Sequence, residues 1–140
     1  MGKALPFWMK ASWFKKQGYR KVNKQSVQEL LWKPFTDVAA PPKWIRQQKT
    51  LERRPERVTV TSFKNGWCPA QNLVYERAKR VTEAFDDRVV FEQIGTSDRE
   101  IFLEWGISDA LFTDGKEVRT GPPPSYGKVK RLIEKRVGKL

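Results

Sequence analysis

A predicted strand–helix–strand pattern that begins at residues 58–63, Val-Thr-Val-Thr-Ser-Phe, limits the folds that this chain can adopt. Their β-branched and aromatic side chains predict a strand that ends at the turn signal Asn65-Gly66. An amphipathic helix is predicted next, because apolar residues recur along one helical stripe at Val74, Ala78, Val81 and Phe85. A second strand over residues 88–94 completes a strand–helix–strand unit. Such a unit joins two parallel strands of one sheet.

The rest of this region predicts a short helix, a hairpin and a final helix. The capping box Ser97-Asp-Arg-Glu100 opens a helix over residues 98–105. Asp114-Gly115, between strands at residues 110–113 and 116–119, is a strong signal for a tight hairpin. Ser125 is the predicted cap of the last helix. The order over residues 58–140 is therefore βαβαββα, and the predicted fold class is α/β.

Residues 1–35 predict a helix followed by a hairpin. Phe7, Ala11 and Phe14 share one helical face, Gly18 suits a left-handed cap, and residues 19–22 and 27–32 predict two strands around a polar turn. Three such elements bury too little surface to be stable alone, so this extension should dock on another domain, another copy or a partner. Residues 36–57, rich in proline and arginine, predict a basic, extended linker.

The charge is divided unevenly along the chain. The net charge is +12; residues 1–57 hold 14 Lys/Arg and 4 Asp/Glu, whereas residues 58–140 hold 14 and 12. The basic part fits either a surface for nucleic acid or an acidic partner, or an ordinary solvated face. The cations of the last helix fit its C-terminal dipole. No apolar run reaches the roughly 20 residues of a membrane span, so we expect a cytoplasmic protein without membrane contact.

The chain has one cysteine, Cys68, and no histidine. These counts exclude an internal disulfide, a histidine-based triad and a histidine metal site, and no spacing of acidic residues predicts a metal site. Cys68 lies where the predicted strand passes into the predicted helix, and free backbone N–H groups and the helix dipole favour a thiolate there. Trp67 would shield one side of the sulfur, and Pro69 suits the first helical turn. The alternative is a structural cysteine that fills a small space.

A strand that leads into Trp67-Cys68-Pro69 and then a helix resembles the active-site turn of thioredoxin-like proteins, and the βαβαββα order matches that fold. More narrowly, three motifs resemble the YoaP-like domain found C-terminal to some GNAT-type acetyltransferases: Gly66-Trp-Cys-Pro-Ala-Gln71, Trp105-Gly-Ile-Ser-Asp-Ala-Leu-Phe112 and Asp114-Gly-Lys-Glu-Val118. The resemblance implies that Gln71 stands in the position of the second cysteine of dithiol oxidoreductases, so thioredoxin-type two-step reduction is excluded. It also implies that Ser108 and Asp109 lie near the thiol, in a region where the family has a cis-proline. The candidate site is therefore Cys68 with Trp67, Pro69, Gln71, Ser108 and Asp109 around it.

Residues 1–35 resemble the last helix and last two strands of the GNAT fold, from Ala11-Ser-Trp-Phe-Lys-Lys-Gln-Gly-Tyr19 to Leu30-Leu-Trp-Lys-Pro-Phe35. In that family a glycine-containing loop that binds acetyl-CoA comes before this part of the fold. Phe14 stands where a tyrosine general acid often lies, and it has no proton to give. The resemblance implies that this chain alone transfers no acetyl group. Acetyl-CoA is expected as a cofactor only together with a complete GNAT domain.

The sequence thus predicts an accessory thioredoxin-like domain of an acetyltransferase-like protein, with a single-thiol redox or thiol-binding role at Cys68. That role is a mixed disulfide, glutathionylation or sulfenic-acid sensing, and its partner is a thiol-containing small molecule or protein. An acetyltransferase domain or a second copy of the chain is the expected partner of residues 1–35. The alternative is a non-enzymatic interaction module whose basic N-terminal part binds a protein or nucleic acid. The sequence does not decide between an enzyme and a binding module.

Overall fold

The computed structural model describes residues 9–25, 28–118 and 122–140. The chain divides into two compact units, one ending at Ile45 and the other running from Arg46 to Leu140. The domain boundaries predicted after residues 35 and 57 stay predictions. Phe7 of the predicted first helix, residues 26–27 of the predicted hairpin and Arg119 of the predicted last strand lie outside the described residues.

From residue 9 onward, with residues 26–27 left aside, the N-terminal unit shows a short helix and an antiparallel pair of strands: α1 (Ala11–Lys16), β1 (Arg20–Gln25) and β2 (Gln28–Trp32). Gly18 has the left-handed φ of 87° that the predicted cap requires. The prediction that the first strand ends at Val22 is wrong. Residues 23–25 continue the ladder opposite residues 28–30, because backbone hydrogen bonds make no demand on the polarity of the side chains.

Over its described residues, 46–118 and 122–140, the second unit contains a mixed four-stranded sheet and three helices. The elements in chain order are β3 (Val58–Lys64), α2 (Pro69–Thr82), β4 (Val89–Gly95), α3 (Arg99–Trp105), β5 (Ala110–Thr113), β6 (Lys116–Glu117) and α4 (Tyr126–Val137). The strands lie side by side in the order β4-β3-β5-β6, with β3 and β4 parallel and the other neighbours antiparallel. This order and these directions are those of the thioredoxin fold. The predicted α/β class and βαβαββα order are confirmed.

The main core lies between one face of the sheet and helices α2 and α4. Val58 and Val60 of β3 have no exposed surface, and they pack with Val81 of α2 and Ile133 of α4 in one cluster. Alternation along the strand directs these side chains to the same face. Phe85, predicted to continue the helical stripe, instead follows the end of α2 at Thr82 and packs against the margin of this core.

Residues 46–57, which we call the strap, run along the other face of the sheet without regular secondary structure. The N–H of Gln48 donates to the carbonyl of Glu104 in α3 at 3.0 Å. Farther along, Arg54 Nη2 lies 2.7 Å from Glu92 Oε1 on β4. The ring of Phe63 on β3 packs edge-to-face against the ring of Trp105 on α3, with 5.2 Å between the ring centroids. Part of the predicted linker is thus packed within the second unit.

The local signals between elements are mostly where the sequence places them, with one correction. Asp114 and Gly115 have φ of 50° and 70°, so the predicted tight hairpin is confirmed. Ser125 Oγ accepts the N–H of Lys128 at 3.3 Å and caps α4 as predicted. The predicted cap Ser97 is wrong: Asp98 caps α3, and its Oδ1 accepts the N–H groups of Glu100 and Ile101. None of the helices in the described part of the chain has the length and apolar character that crossing a bilayer requires.

Candidate functional site

The site lies on the four-residue connection between β3 and α2. Phe63 and Lys64 end the central strand of the sheet, and the chain then turns at Gly66, whose φ is +98°. Glycine adopts this backbone conformation readily, whereas an L side chain does so only with strain. A Cβ at Gly66 would meet no atom within 4 Å, so the glycine serves the turn and makes room for no neighbour.

Cys68 is the N-cap residue of α2, with extended backbone angles φ −91° and ψ 109°. Its carbonyl accepts the first helical hydrogen bond, from the N–H of Asn72 at 3.0 Å. Its thiol makes no capping hydrogen bond and is half-buried. The first-turn N–H groups of a helix have no partner within the helix, and the first turn of α2 holds no acidic side chain. Cys68 therefore stands at the positive end of the helix dipole, in the residue position that precedes these N–H groups.

The residues next to Cys68 occupy the positions that the sequence predicts. The side chain of Trp67 is 77% exposed, and its shielding of the sulfur stays a prediction. Pro69 occupies the first position of the helix, as its fixed φ favours, and Gln71 lies two residues farther along the same turn. A carboxamide at Gln71 has neither a thiol nor an acidic proton, so only a thiol from outside the chain could complete a disulfide with Cys68.

Hydrogen bonds hold the connection from two sides, and they involve residues that the sequence prediction missed. The N–H of Asn65 donates to Asp109 Oδ1 at 3.0 Å, and its Nδ2 donates to the carbonyl of Thr96 at 3.0 Å. From the helix, Asn72 Nδ2 donates to the carbonyl of Gly66 at 2.8 Å. The sequence does contain a signal for these hydrogen bonds, namely an Asn on each side of a short strand-to-helix turn. Asn side chains commonly form hydrogen bonds with nearby backbone groups.

Ser108 and Asp109 reach the site indirectly. Ser108 Oγ donates to Asp109 Oδ2 at 2.9 Å, and the hydroxyl of Thr96 donates to the Ser108 carbonyl. Both Asp109 oxygens thus accept hydrogen bonds, one of them from the backbone of Asn65, three residues before Cys68. These two residues fix the start of the connection. Their direct action on the thiol stays a prediction.

The second unit therefore defines a thioredoxin-fold domain with a single thiol at the start of its first crossover helix. No protein-family model matches the sequence, and no curated protein matches it. Among solved structures, it is similar to thioredoxin-2, described as a component of malaria parasite protein secretion machinery, with a TM-score of 0.44 and 14% identity over 64% of this chain and 99% of that chain. It is also similar to thioredoxin f2 of Chlamydomonas reinhardtii, with a TM-score of 0.40 and 18% identity over 60% of this chain and 84% of that chain. The assignment to the fold rests on the strand order and directions given above.

Proposed function

We propose that the domain acts through Cys68 as a single-thiol site that forms a mixed disulfide with a small-molecule or protein disulfide. The observation that carries this proposal is the position of the cysteine. Cys68 is the N-cap residue of α2, it is half-buried, and its thiol makes no hydrogen bond to the helix. A helix N-terminus favours the thiolate, which is the form that attacks disulfides.

The reaction ends after one exchange. The Cys68 thiolate attacks one sulfur of a disulfide R–S–S–R, the bond between the two sulfurs of R–S–S–R breaks, and the other half leaves as a thiolate that takes a proton from water. No electrons enter or leave overall, because one disulfide replaces another. Gln71 cannot resolve the product, so the mixed disulfide persists until an external thiol attacks it. We therefore expect one adduct per chain with oxidised glutathione, reversed by a reducing agent.

A matched cysteine on the same helix tests the effect of the helix N-terminus. The control is the double variant Cys68→Ser/Glu76→Cys, because Glu76 is exposed in the middle of α2. Because a helix N-terminus favours the form of the thiol that attacks, Cys68 should react with iodoacetamide and oxidised glutathione faster than the control near pH 7. Equal or slower reaction of Cys68 would reduce it to a packing residue.

We further propose that this domain is a YoaP-like accessory domain of a GNAT-type acetyltransferase in the cytoplasm, where a lone thiol stays reduced. Support comes from the three sequence motifs and from the helix and hairpin of residues 11–32. The proposal predicts that calorimetry detects no acetyl-CoA binding by this chain and that the reading frame upstream encodes a glycine-containing acetyl-CoA loop. An upstream region without such a loop would contradict the GNAT context and leave the thiol proposal standing.

A further inference from the structure

The outward side of α4 carries three cations in a row, Lys128, Arg131 and Lys135, which we call the α4 cation row. All three side chains are exposed, whereas Val129 and Ile133 of the same helix are only 2% and 1% exposed in the core. Positions i, i+3 and i+7 share one face of a helix, and at 1.5 Å per residue the row is about 10 Å long.

Positive charge is concentrated on helices α2 and α4, whereas the rest of the domain is net negative. Helices α2 and α4 together hold eight Lys/Arg and two Glu, whereas the other positions of residues 58–140 hold six Lys/Arg and ten Asp/Glu. The two helices therefore carry +6 and the remainder −4. Helices α2 and α4 pack on the same face of the sheet, and Lys79 and Arg80 of α2 are exposed. These two residues add to the positive charge on that side of the domain.

Helix stability does not account for the row. The helix dipole favours cations only in the last turn, which holds Lys135 and Arg136, whereas the first turn holds Lys128 and no acidic residue. Like charges at i,i+3 and i,i+4 also repel one another. Among the described residues, no carboxylate lies within 4.0 Å of the row, and the ion pair of this helix joins Lys130 to Glu134 on its flank.

We propose that the α4 cation row binds the phosphate backbone of double-stranded nucleic acid. Exposed cations without carboxylate partners are complementary to a polyanion, because binding releases condensed counterions and relieves repulsion within the row. Tyr126, the exposed aromatic at the start of α4, precedes Lys128 by two positions and so does not share its face, which favours a duplex over a single strand whose bases must stack. Contacts with phosphate carry no sequence information, so the binding is independent of sequence.

Fluorescence anisotropy of the full chain with a labelled duplex of about 20 base pairs tests this binding, with salt raised from about 50 to about 200 mM. Three phosphate contacts predict that the affinity falls about 40-fold over this range. A DNA duplex and an RNA duplex of the same sequence show which source of phosphate is preferred. The triple variant Lys128→Gln/Arg131→Gln/Lys135→Gln should bind more weakly, and the slope of log affinity against log salt should shrink by about 2.7.

The matched control removes the same charge from the N-terminal unit, through Lys10→Gln, Lys16→Gln and Lys24→Gln, which are all exposed. This variant should keep most of the slope. Three outcomes would overturn the proposal: no duplex is bound at low salt, the row variant binds as the wild type does, or both variants lose affinity equally. Tighter binding of single strands would overturn the choice of a duplex. If circular dichroism shows that the row variant is unfolded, Arg131→Gln alone should still lower the slope by about 0.9.

Discussion

Replacing Gly106 with alanine should destabilise the second unit through a clash with the strap. Gly106 ends α3 with a left-handed φ of 63°. A Cβ there would lie 2.9 Å from the backbone nitrogen of Gln47 and 3.1 Å from the carbonyl carbon of Arg46. Both are backbone atoms, so neither can rotate away, and the strap itself must move.

The expected loss of unfolding free energy is about 1.5–4.5 kcal/mol, built from three terms. Forcing alanine into the left-handed region contributes about 1–2 kcal/mol. Moving the strap weakens the bond from the Gln48 N–H to the Glu104 carbonyl, at a cost of about 0.5–1.5 kcal/mol. The exposed ion pair between Lys49 and Glu104 adds at most about 1 kcal/mol.

Gly115→Ala is the control, because Gly115 has a similar φ of 70° but only ordinary contacts. A Cβ there would lie 3.5 Å from the Leu51 carbonyl oxygen, so this variant carries the backbone strain without the clash. Urea denaturation should therefore separate the two variants by about 0.5–2.5 kcal/mol. Trypsin should also cleave Gly106→Ala faster at Lys49 in the strap. Equal stabilities and equal cleavage rates would refute the close packing of the strap on α3.

Two further predictions concern charges. Arg131→Gln removes repulsion with Lys128 and Lys135 and should raise the free energy of unfolding by roughly 0.4–1 kcal/mol at low salt. Thermal denaturation at low and high salt measures this gain. A loss of stability at low salt would contradict it. The hydrogen bond from Lys15 at 2.6 Å, followed by its charge, holds the pKa of Glu29 below its usual value. The folded state then binds fewer protons than the unfolded one, so this stabilisation is present above the ordinary carboxyl pKa and fades as pH falls through the lowered one. In an NMR titration Lys15→Met should raise the pKa of Glu29, and an unchanged value would exclude the hydrogen bond.

The elements of the second unit were predictable because local and long-range requirements agree in them. The first four residues of β3 are β-branched, and this strand is also the most buried of the sheet, with Val58 and Val60 at 0% exposure. Asp114-Gly115 both favours a tight turn and joins two strands that pair. Prediction fails where two adjacent residues are equally able to cap a helix: Ser97 and Asp98 are both good N-caps, and the structure uses the second.

The strap was not predictable as a packed segment, because its contacts leave little trace in its own side chains. Prolines and cations over residues 36–57 indicate an extended, solvated chain, and that description fits the absence of regular structure there. The docking itself uses the backbone of Gln48 and the missing side chain of Gly106. Neither feature changes the hydropathy or charge pattern from which the linker was predicted.

The same distinction applies to the candidate site. The sequence places Cys68 at a helix start, because a strand pattern, a Gly turn and a proline converge on one residue. It does not place Asn65 and Asn72, whose hydrogen bonds to Thr96 and Gly66 hold the turn on both sides. A single thiol has no internal partner to end its reaction, so the lifetime of a mixed disulfide depends on how well the surrounding turn admits an external thiol. The hydrogen bonds of the two asparagines fix the backbone on both sides of Cys68, so under the proposed exchange an external thiol would meet a sulfur carried by a held turn.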